Sequence, residues 1–252
     1  MKFSIIIATM NAEALLERAI LSGLTQVYPQ YEIIVQDGGS TDGTLDILKR
    51  FKGRINWVSE PDTGVYDAWN KALARAAGDW AIFLGADDFL LDQEVLAKCA
   101  VYLKRLPPEV LFAYGGLVIR KNDSGAYVME LSLARMYHMF LSDMGLPFPA
   151  TFVRVSALKE HGFDSGFKIA GDFDFAARLI SPYNAVRLPV RVTVMEWGGL
   201  STNPKHRHTL QEERLRVLRT RIWPKGQELI QGMMDAMEKE FAEEKQSESR
   251  VD

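Results

Sequence analysis

Cysteine occurs once in this chain of 252 residues, so neither an intramolecular disulfide nor a CxxC metal site can form. That residue, Cys99, lies in Val95-Leu96-Ala97-Lys98-Cys99-Ala100-Val101-Tyr102-Leu103. The apolar spacing there fits a buried helix face, and no basic cluster adjoins the thiol to activate it. No apolar run approaches the roughly 20 residues of a membrane span. The N-terminal Met1-Lys2-Phe3-Ser4-Ile5-Ile6-Ile7-Ala8 is too short for a signal peptide and reads as a first strand, which suggests a cytoplasmic protein. The four histidines show no HxxH or HExxH spacing. Positive charge is not in excess either; a net charge of −3 argues against a nucleic-acid partner.

What is present is a core and an alternation. Hydrophobic residues make up 47% of the chain, ample for one large domain. Phe3 to Ala8, Glu32 to Gln36, Asn56 to Ser59 and Trp80 to Leu84 read as strands, separated by helical patterns. Asn11 is placed to cap the first helix, Ser40 or Thr41 the second, and Gly78 to end the third. This β-α order predicts a parallel sheet with right-handed crossovers, an α/β fold. After Pro107-Pro108 the pattern changes. Val110 to Arg120 and Tyr127 to Leu131 read as strands around the turn Asn122-Asp123-Ser124-Gly125. A helix over Leu133 to Leu141, a strand over Thr151 to Arg154, a helix opening at Asp172 and a strand over Val190 to Glu196 follow. From Thr209 onward the chain reads as helix, broken once at Pro224, and the charged end from Glu238 should fray.

Acidic residues punctuate this order. Asp37 follows the second strand and precedes Gly38-Gly39, which let the backbone turn and approach a ligand. In an open α/β sheet ligands collect at strand C-termini, so Asp37 reads as a ligand for ribose or base, with turn capping as the alternative. Asp87-Asp88 ends the fourth strand, where neighbouring carboxylates suit a hard cation such as Mg²⁺ or Mn²⁺, or else an exposed turn. Asp172 and Asp174 open a helix, and only one of them can face a cleft as a general base. Helix-dipole stabilisation alone would also place them there. His206 and His208 follow a glycine-rich loop that could close over a diphosphate. The basic helix with Arg214, Arg216, Arg219, Arg221 and Lys225 either rests on an anionic membrane surface or packs on its own domain.

Taken together, Ser4-Ile5-Ile6-Ile7-Ala8-Thr9-Met10-Asn11, Gln36 to Thr44, Ser59 to Ala72, Ala76 to Asp88, Ala150-Thr151-Phe152, Gly171-Asp172-Phe173-Asp174 and Trp197 to Thr202 resemble, in order, a family-2 glycosyltransferase of GT-A fold. Among these, the chain looks most like the small bacterial enzymes of exopolysaccharide and lipopolysaccharide assembly. The resemblance implies a mostly parallel, Rossmann-like sheet flanked by helices. It divides the chain into a glycosyltransferase domain over 1–205 (nucleotide-binding half 1–106, acceptor and catalytic half 107–205) and a helical C-terminal extension over 206–252. It implies that Ala8, Thr9, Asn11 and Asp37 hold the nucleotide, and that Asp62 and Asp67 line the nucleotide-sugar pocket. Asp88, with Asp87 beside it, would bind ribose and metal, and Asp172 would be the catalytic base. The implied cofactor is Mn²⁺ or Mg²⁺. The implied partners are a nucleotide-sugar, UDP before GDP or dTDP, and a glycan or lipid-linked acceptor at the inner membrane face; no oligomeric state follows.

Two departures stand out: Gly85 replaces the first carboxylate of a DxD motif, and Pro147-Phe148-Pro149 stands where relatives often carry a histidine. The expected reaction is an inverting sugar transfer. A nicotinamide oxidoreductase is disfavoured because Ala8-Thr9-Met10-Asn11 stands in place of GxGxxG. A binding or scaffold subunit that has lost catalysis is the non-enzymatic alternative.

Overall fold

The apolar runs fold as their periodicity implies. The computed structural model describes residues 1–121, 125–142 and 146–248. Its first half runs β1 (Phe3–Thr9), α1 (Leu16–Leu24), β2 (Tyr31–Asp37), α2 (Thr44–Arg50), β3 (Asn56–Ser59), α3 (Val65–Arg75) and β4 (Trp80–Gly85). β1 lies between β2 and β4, with β3 outside β2, and all these pairings are parallel. β1 is buried on both faces: Ile6 packs with Ile34 and Phe83, while Phe3, Ile5 and Ile7 join a second cluster with Ile33 and Val35. A continuous apolar run is what a strand covered by helices on both sides requires.

The second half folds back onto this sheet through β5 (Phe89–Leu90), α4 (Val95–Leu103), β6 (Phe112–Arg120), β7 (Ala126–Met129), α5 (Leu133–Ser142), β8 (Thr151–Arg154) and α6 (Val155–His161). It ends with α7 (Gly171–Leu179), β9 (Ala185–Glu196), α8 (Arg207–Val217) and α9 (Gly226–Glu248). β8 pairs antiparallel with β4 on one side and β6 on the other, and β9 continues the sheet parallel to β6. β7 and β5 add short antiparallel edges to β6 and β9. The result is an α/β fold with a helical C-terminal extension, α9 packing along α5.

Several local expectations change. Gly78 does not end α3, which stops at Arg75. It lets the chain pass β1, since a Cβ there would lie 2.7 Å from the Ser4 nitrogen. β9 begins at Ala185 and continues past Pro189, its pairing with β6 shifting register between Arg187 and Arg191, and the two-residue β5 has no signal in the sequence. Of the expected hairpin turn, Asn122, Asp123 and Ser124 lie outside the described residues. Around Pro224 a π-helical turn (Leu218–Ile222) and a 3-10 turn (Trp223–Lys225) join α8 to α9. α9 is helical as far as Glu248 where the sequence implies fraying from Glu238, in keeping with its Ala, Glu, Lys and Met content; the last four residues of that segment, 249–252, lie outside the described residues.

The basic segment is largely tied to its own domain. Arg216 stacks over Phe167 and approaches Asp164, Arg221 pairs with Asp174, and Lys225 donates to the Arg178 carbonyl. Cys99 is buried in the core, as its helix-face spacing implies, and burial pushes its thiol pKa up. No helix among the described residues is long and apolar enough to cross a membrane.

Candidate active site

The C-terminal ends of β1, β2 and β4 share one edge of the sheet, and two loops interlock there. Gly38 N donates to the Thr9 carbonyl (2.9 Å), Asn11 N to Ser40 Oγ (2.7 Å) and Thr41 N to Asn11 Oδ1 (2.9 Å). Asn11 sits at φ 50°, a left-handed conformation that asparagine tolerates. It clasps the loops together and does not cap α1, which starts at Leu16. Ala8 is half-buried and Thr9 buried, and the Thr9 hydroxyl has no hydrogen-bond partner among the described residues.

Asp37 is turned inward. Its carboxylate accepts from Gly39 N (3.1 Å), Ser40 N (2.9 Å), Ser40 Oγ (2.5 Å) and Ser59 Oγ (2.6 Å), and the residue is fully buried. These contacts make Asp37 the brace of the glycine loop; three of them fall on Oδ2, and among the described residues Oδ1 accepts only from Ser40 Oγ. Asp62 takes a half-buried position beside that loop. Its Oδ2 occupies the space over Gly38, where a Cβ would meet it at 2.6 Å, and burial pushes its pKa up. Asp67 accepts from Thr63 N (3.0 Å) and pairs with Lys71 (3.2 Å). It braces the turn that carries Asp62, and neither cavity described below reaches it.

At the end of β4, Asp88 is buried, accepting from Gly85 N (3.2 Å) and Glu196 N (3.3 Å). Burial, reinforced by the Asp87 charge, raises its pKa to about 7. Burial also pushes Asp87 up, and neither carboxylate has a salt-bridge partner among the described residues. Glu196, at the end of β9, is held instead by Arg18 (2.9 Å) and Arg120. Gly85 is explained by this packing, since a Cβ there would lie 2.5 Å from Asp87 Oδ1; the Asp87 carboxylate fills the space of a side chain at 85. Gly199, on the loop after β9, closes over the same carboxylate, its would-be Cβ 2.9 Å from Asp87 Oδ2. No group of three or more metal-type ligands is preassembled among the described residues. Two enclosed, unpaired carboxylates nonetheless fit a divalent ion that takes its remaining ligands from a diphosphate and water.

α7 separates its two acidic residues. Asp174 is 1% exposed and pairs with Arg178 (2.9 Å) and Arg221 (3.0 Å), so it is structural. Asp172 faces the cleft. Its Oδ1 accepts from Phe173 N (2.8 Å) and lies 3.1 Å from the Tyr66 hydroxyl, while Oδ2 has no hydrogen-bond partner among the described residues. Burial pushes its pKa up, against the hydrogen bonds from Phe173 and Tyr66 and the charge of Arg214. The segment leading into α7 is held by Glu213 of α8, whose carboxylate accepts from Lys168 N (2.7 Å), Ile169 N (2.9 Å) and Ala170 N (2.8 Å). Neither Tyr66, Glu196 nor Glu213 stands out in the sequence. Tyr66 and Glu213 occupy ordinary positions in amphipathic helices, and Glu196 ends a strand.

Asp172 stands on the wall between two cavities. The smaller, about 160 Å³, contains Asp87, Asp88 and Glu196 and is roofed by the Gly199–Thr202 loop. The larger, about 600 Å³, is walled by apolar side chains including Ile119, Met129, Phe148, Phe173 and Leu210, with Arg207 and Arg214 on one side. His206 and His208 line neither.

The family model for glycosyl transferase family 2 matches residues 4–161. A "PGL/p-HBAD biosynthesis glycosyltransferase" of Mycobacterium bovis is 31% identical over 242 residues, covering 88% of this chain and 91% of its own length. "Putative teichuronic acid biosynthesis glycosyltransferase TuaG" of Bacillus subtilis is 42% identical over 89 residues, 34% of this chain and 35% of its own. Among solved structures, S. aureus TarS 1–349 in complex with UDP superposes with TM-score 0.64 at 20% identity; the match covers 86% of this chain and 64% of that one. Mannosyltransferase PcManGT from Pyrobaculum calidifontis, in complex with GDP-Man and Mn²⁺, gives 0.61 at 18% identity over 96% and 75%. At these identities the structural likeness establishes the GT-A architecture, and with the sequence matches it shows that the chain is a glycosyltransferase belonging to family 2.

Proposed function

We propose that the protein transfers a sugar, with inversion, from a UDP-sugar to a hydroxyl of an amphiphilic acceptor in the assembly of a surface glycan. The observation that carries this is the placement of Asp172 where a small acidic cavity meets a larger apolar one. The names of the relatives support surface-glycan assembly, and TarS solved with UDP supports the base. Asp62, over Gly38, would accept a hydrogen bond from the base, and the Thr9–Asn11 turn would back it. Asp87 and Asp88 would hold Mn²⁺ or Mg²⁺, whose charge would offset that growing on the departing diphosphate. The apolar cavity, with its two arginines, suits an acceptor that joins a hydrocarbon portion to an anionic group.

In the transfer, the acceptor oxygen attacks the anomeric carbon from the face opposite UDP. Its proton passes to Asp172 Oδ2, the carbon–oxygen bond to the diphosphate breaks, and that electron pair leaves with UDP. The sugar passes through an oxocarbenium-like state. Asp172→Asn should bind UDP as wild type does in a calorimetric titration and lose about 10²- to 10⁴-fold in turnover, the usual weight of a general base. Wild-type turnover in that variant would remove Asp172 from the mechanism.

A further inference from the structure

Tyr66 is a buried tyrosine of α3 whose hydroxyl meets two oxygens of another element, the Ile169 carbonyl and Asp172 Oδ1, the latter at 3.1 Å. A phenol carries one proton and can donate it to only one of them at a time. The ring is fitted closely: a Cβ at Gly171 would fall 2.7 Å from two of its carbons, so only glycine leaves Tyr66 room beneath the start of α7. Oδ1 of Asp172 is thus occupied by Phe173 N and Tyr66, which leaves Oδ2 as the oxygen free to meet a substrate.

We propose that Tyr66 is the positioning residue of the catalytic base, a hydroxyl rotor whose single proton turns to Asp172 Oδ1 while the carboxylate is ionised and back to the Ile169 carbonyl once Oδ2 has taken up the acceptor's proton. The inference rests on the reading of Asp172 as the base. Proton balance is closed: the acceptor loses one proton, Oδ2 gains it, and Tyr66 keeps its own throughout. In either state the buried phenol remains a satisfied donor, so protonating the base strands no phenol donor in the core. Burial and the neighbouring Asp172 charge hold the Tyr66 pKa well above its ordinary value, which keeps the phenol protonated. Gly171 is the second half of the device, since a side chain there would push the ring and its hydroxyl off both oxygens.

Other charged groups face Asp172 and bound the effect. From α8 come Arg214, whose charge favours the carboxylate, Arg207 across the larger cavity, and Glu213, bound to the backbone just before α7. Asp87 and Asp88 from the end of β4 and Glu196 from β9 share the smaller cavity. On α7 itself Asp174 is neutralised by Arg178 and Arg221.

The test is a carboxyl ¹³C NMR titration of the full chain labelled at aspartate, with the Asp172 signal identified by its loss in Asp172→Asn. Tyr66→Phe should move the Asp172 midpoint upward by about half to one pH unit, because a hydrogen bond to the ionised form is lost. In sugar transfer the acid limb of the kcat profile should move the same way, with donor KM unchanged; a merely structural role would leave that limb in place. Gly171→Ala keeps the hydroxyl but displaces the ring, and should raise the midpoint as Tyr66→Phe does. A midpoint unchanged or lowered in both variants overturns the proposal. Full turnover in Asp172→Asn would overturn the base reading instead, while the NMR midpoints still report whether Tyr66 governs Asp172.

Discussion

Asp88 should destabilise the folded protein at mildly alkaline pH. Its pKa rises from 3.8 to about 7 on folding, so the folded state holds a proton that the unfolded chain releases. For an acid raised in this way the stability is fully present below the unfolded value and is lost as pH climbs through the folded one. The window is therefore about pH 4 to 7, and the loss by pH 8 is about 4 kcal/mol. Asp88→Asn removes the ionisation. The amide offers one acceptor oxygen where the carboxylate serves both Gly85 N and Glu196 N, so one N–H then faces an amino group at a cost of about 1–2 kcal/mol. The variant should accordingly be about 2 kcal/mol more stable than wild type at pH 8 and about 1–2 kcal/mol less stable at pH 4. Urea denaturation at the two pH values measures both. A variant no more stable than wild type at pH 8 would refute the claim that burial holds the Asp88 carboxylate at an energetic cost.

Glu213→Ala leaves three backbone N–H groups ahead of α7 without their acceptor. It should cost about 3 kcal/mol in urea denaturation and lower kcat with UDP affinity preserved, since it loosens the segment that aims Asp172. Asp174→Asn should lose about 3–5 kcal/mol, because Arg178 and Arg221 would face a neutral group in a buried site. Its turnover per folded molecule should remain near wild type, the opposite pattern to Asp172→Asn.

The strands were legible because each is an apolar run bounded by polar residues, and the β-α order fixed how the first four must pair. Their ends were legible for the same reason, so Asp37, Asp62 and Asp87-Asp88 could be gathered at one edge of the sheet. Which carboxylate turns inward was not legible. Asp37 is consumed by the amides of its own loop and by Ser59 from another strand, a contact no local pattern encodes. The residue pattern alone left Asp172 and Asp174 as alternatives and only the family resemblance chose Asp172, because one of the two arginines that neutralise Asp174 lies 47 positions away. Tyr66, Glu196 and Glu213 act across the sheet or between distant helices, at positions where their residue types are unremarkable. Gly78 looked like a helix end because glycine serves two purposes, and only packing against β1 shows which one applies.

The most direct measurement is a calorimetric titration of UDP into the wild-type protein and Asp88→Asn, with and without Mn²⁺. A UDP-sugar transferase with its cation at the end of β4 predicts binding to wild type that strengthens with Mn²⁺, and an Asp88→Asn variant in which that strengthening disappears. Binding of UDP that ignores both the cation and the substitution would contradict the metal site, and no binding of UDP under any of these conditions would contradict the assignment of the donor.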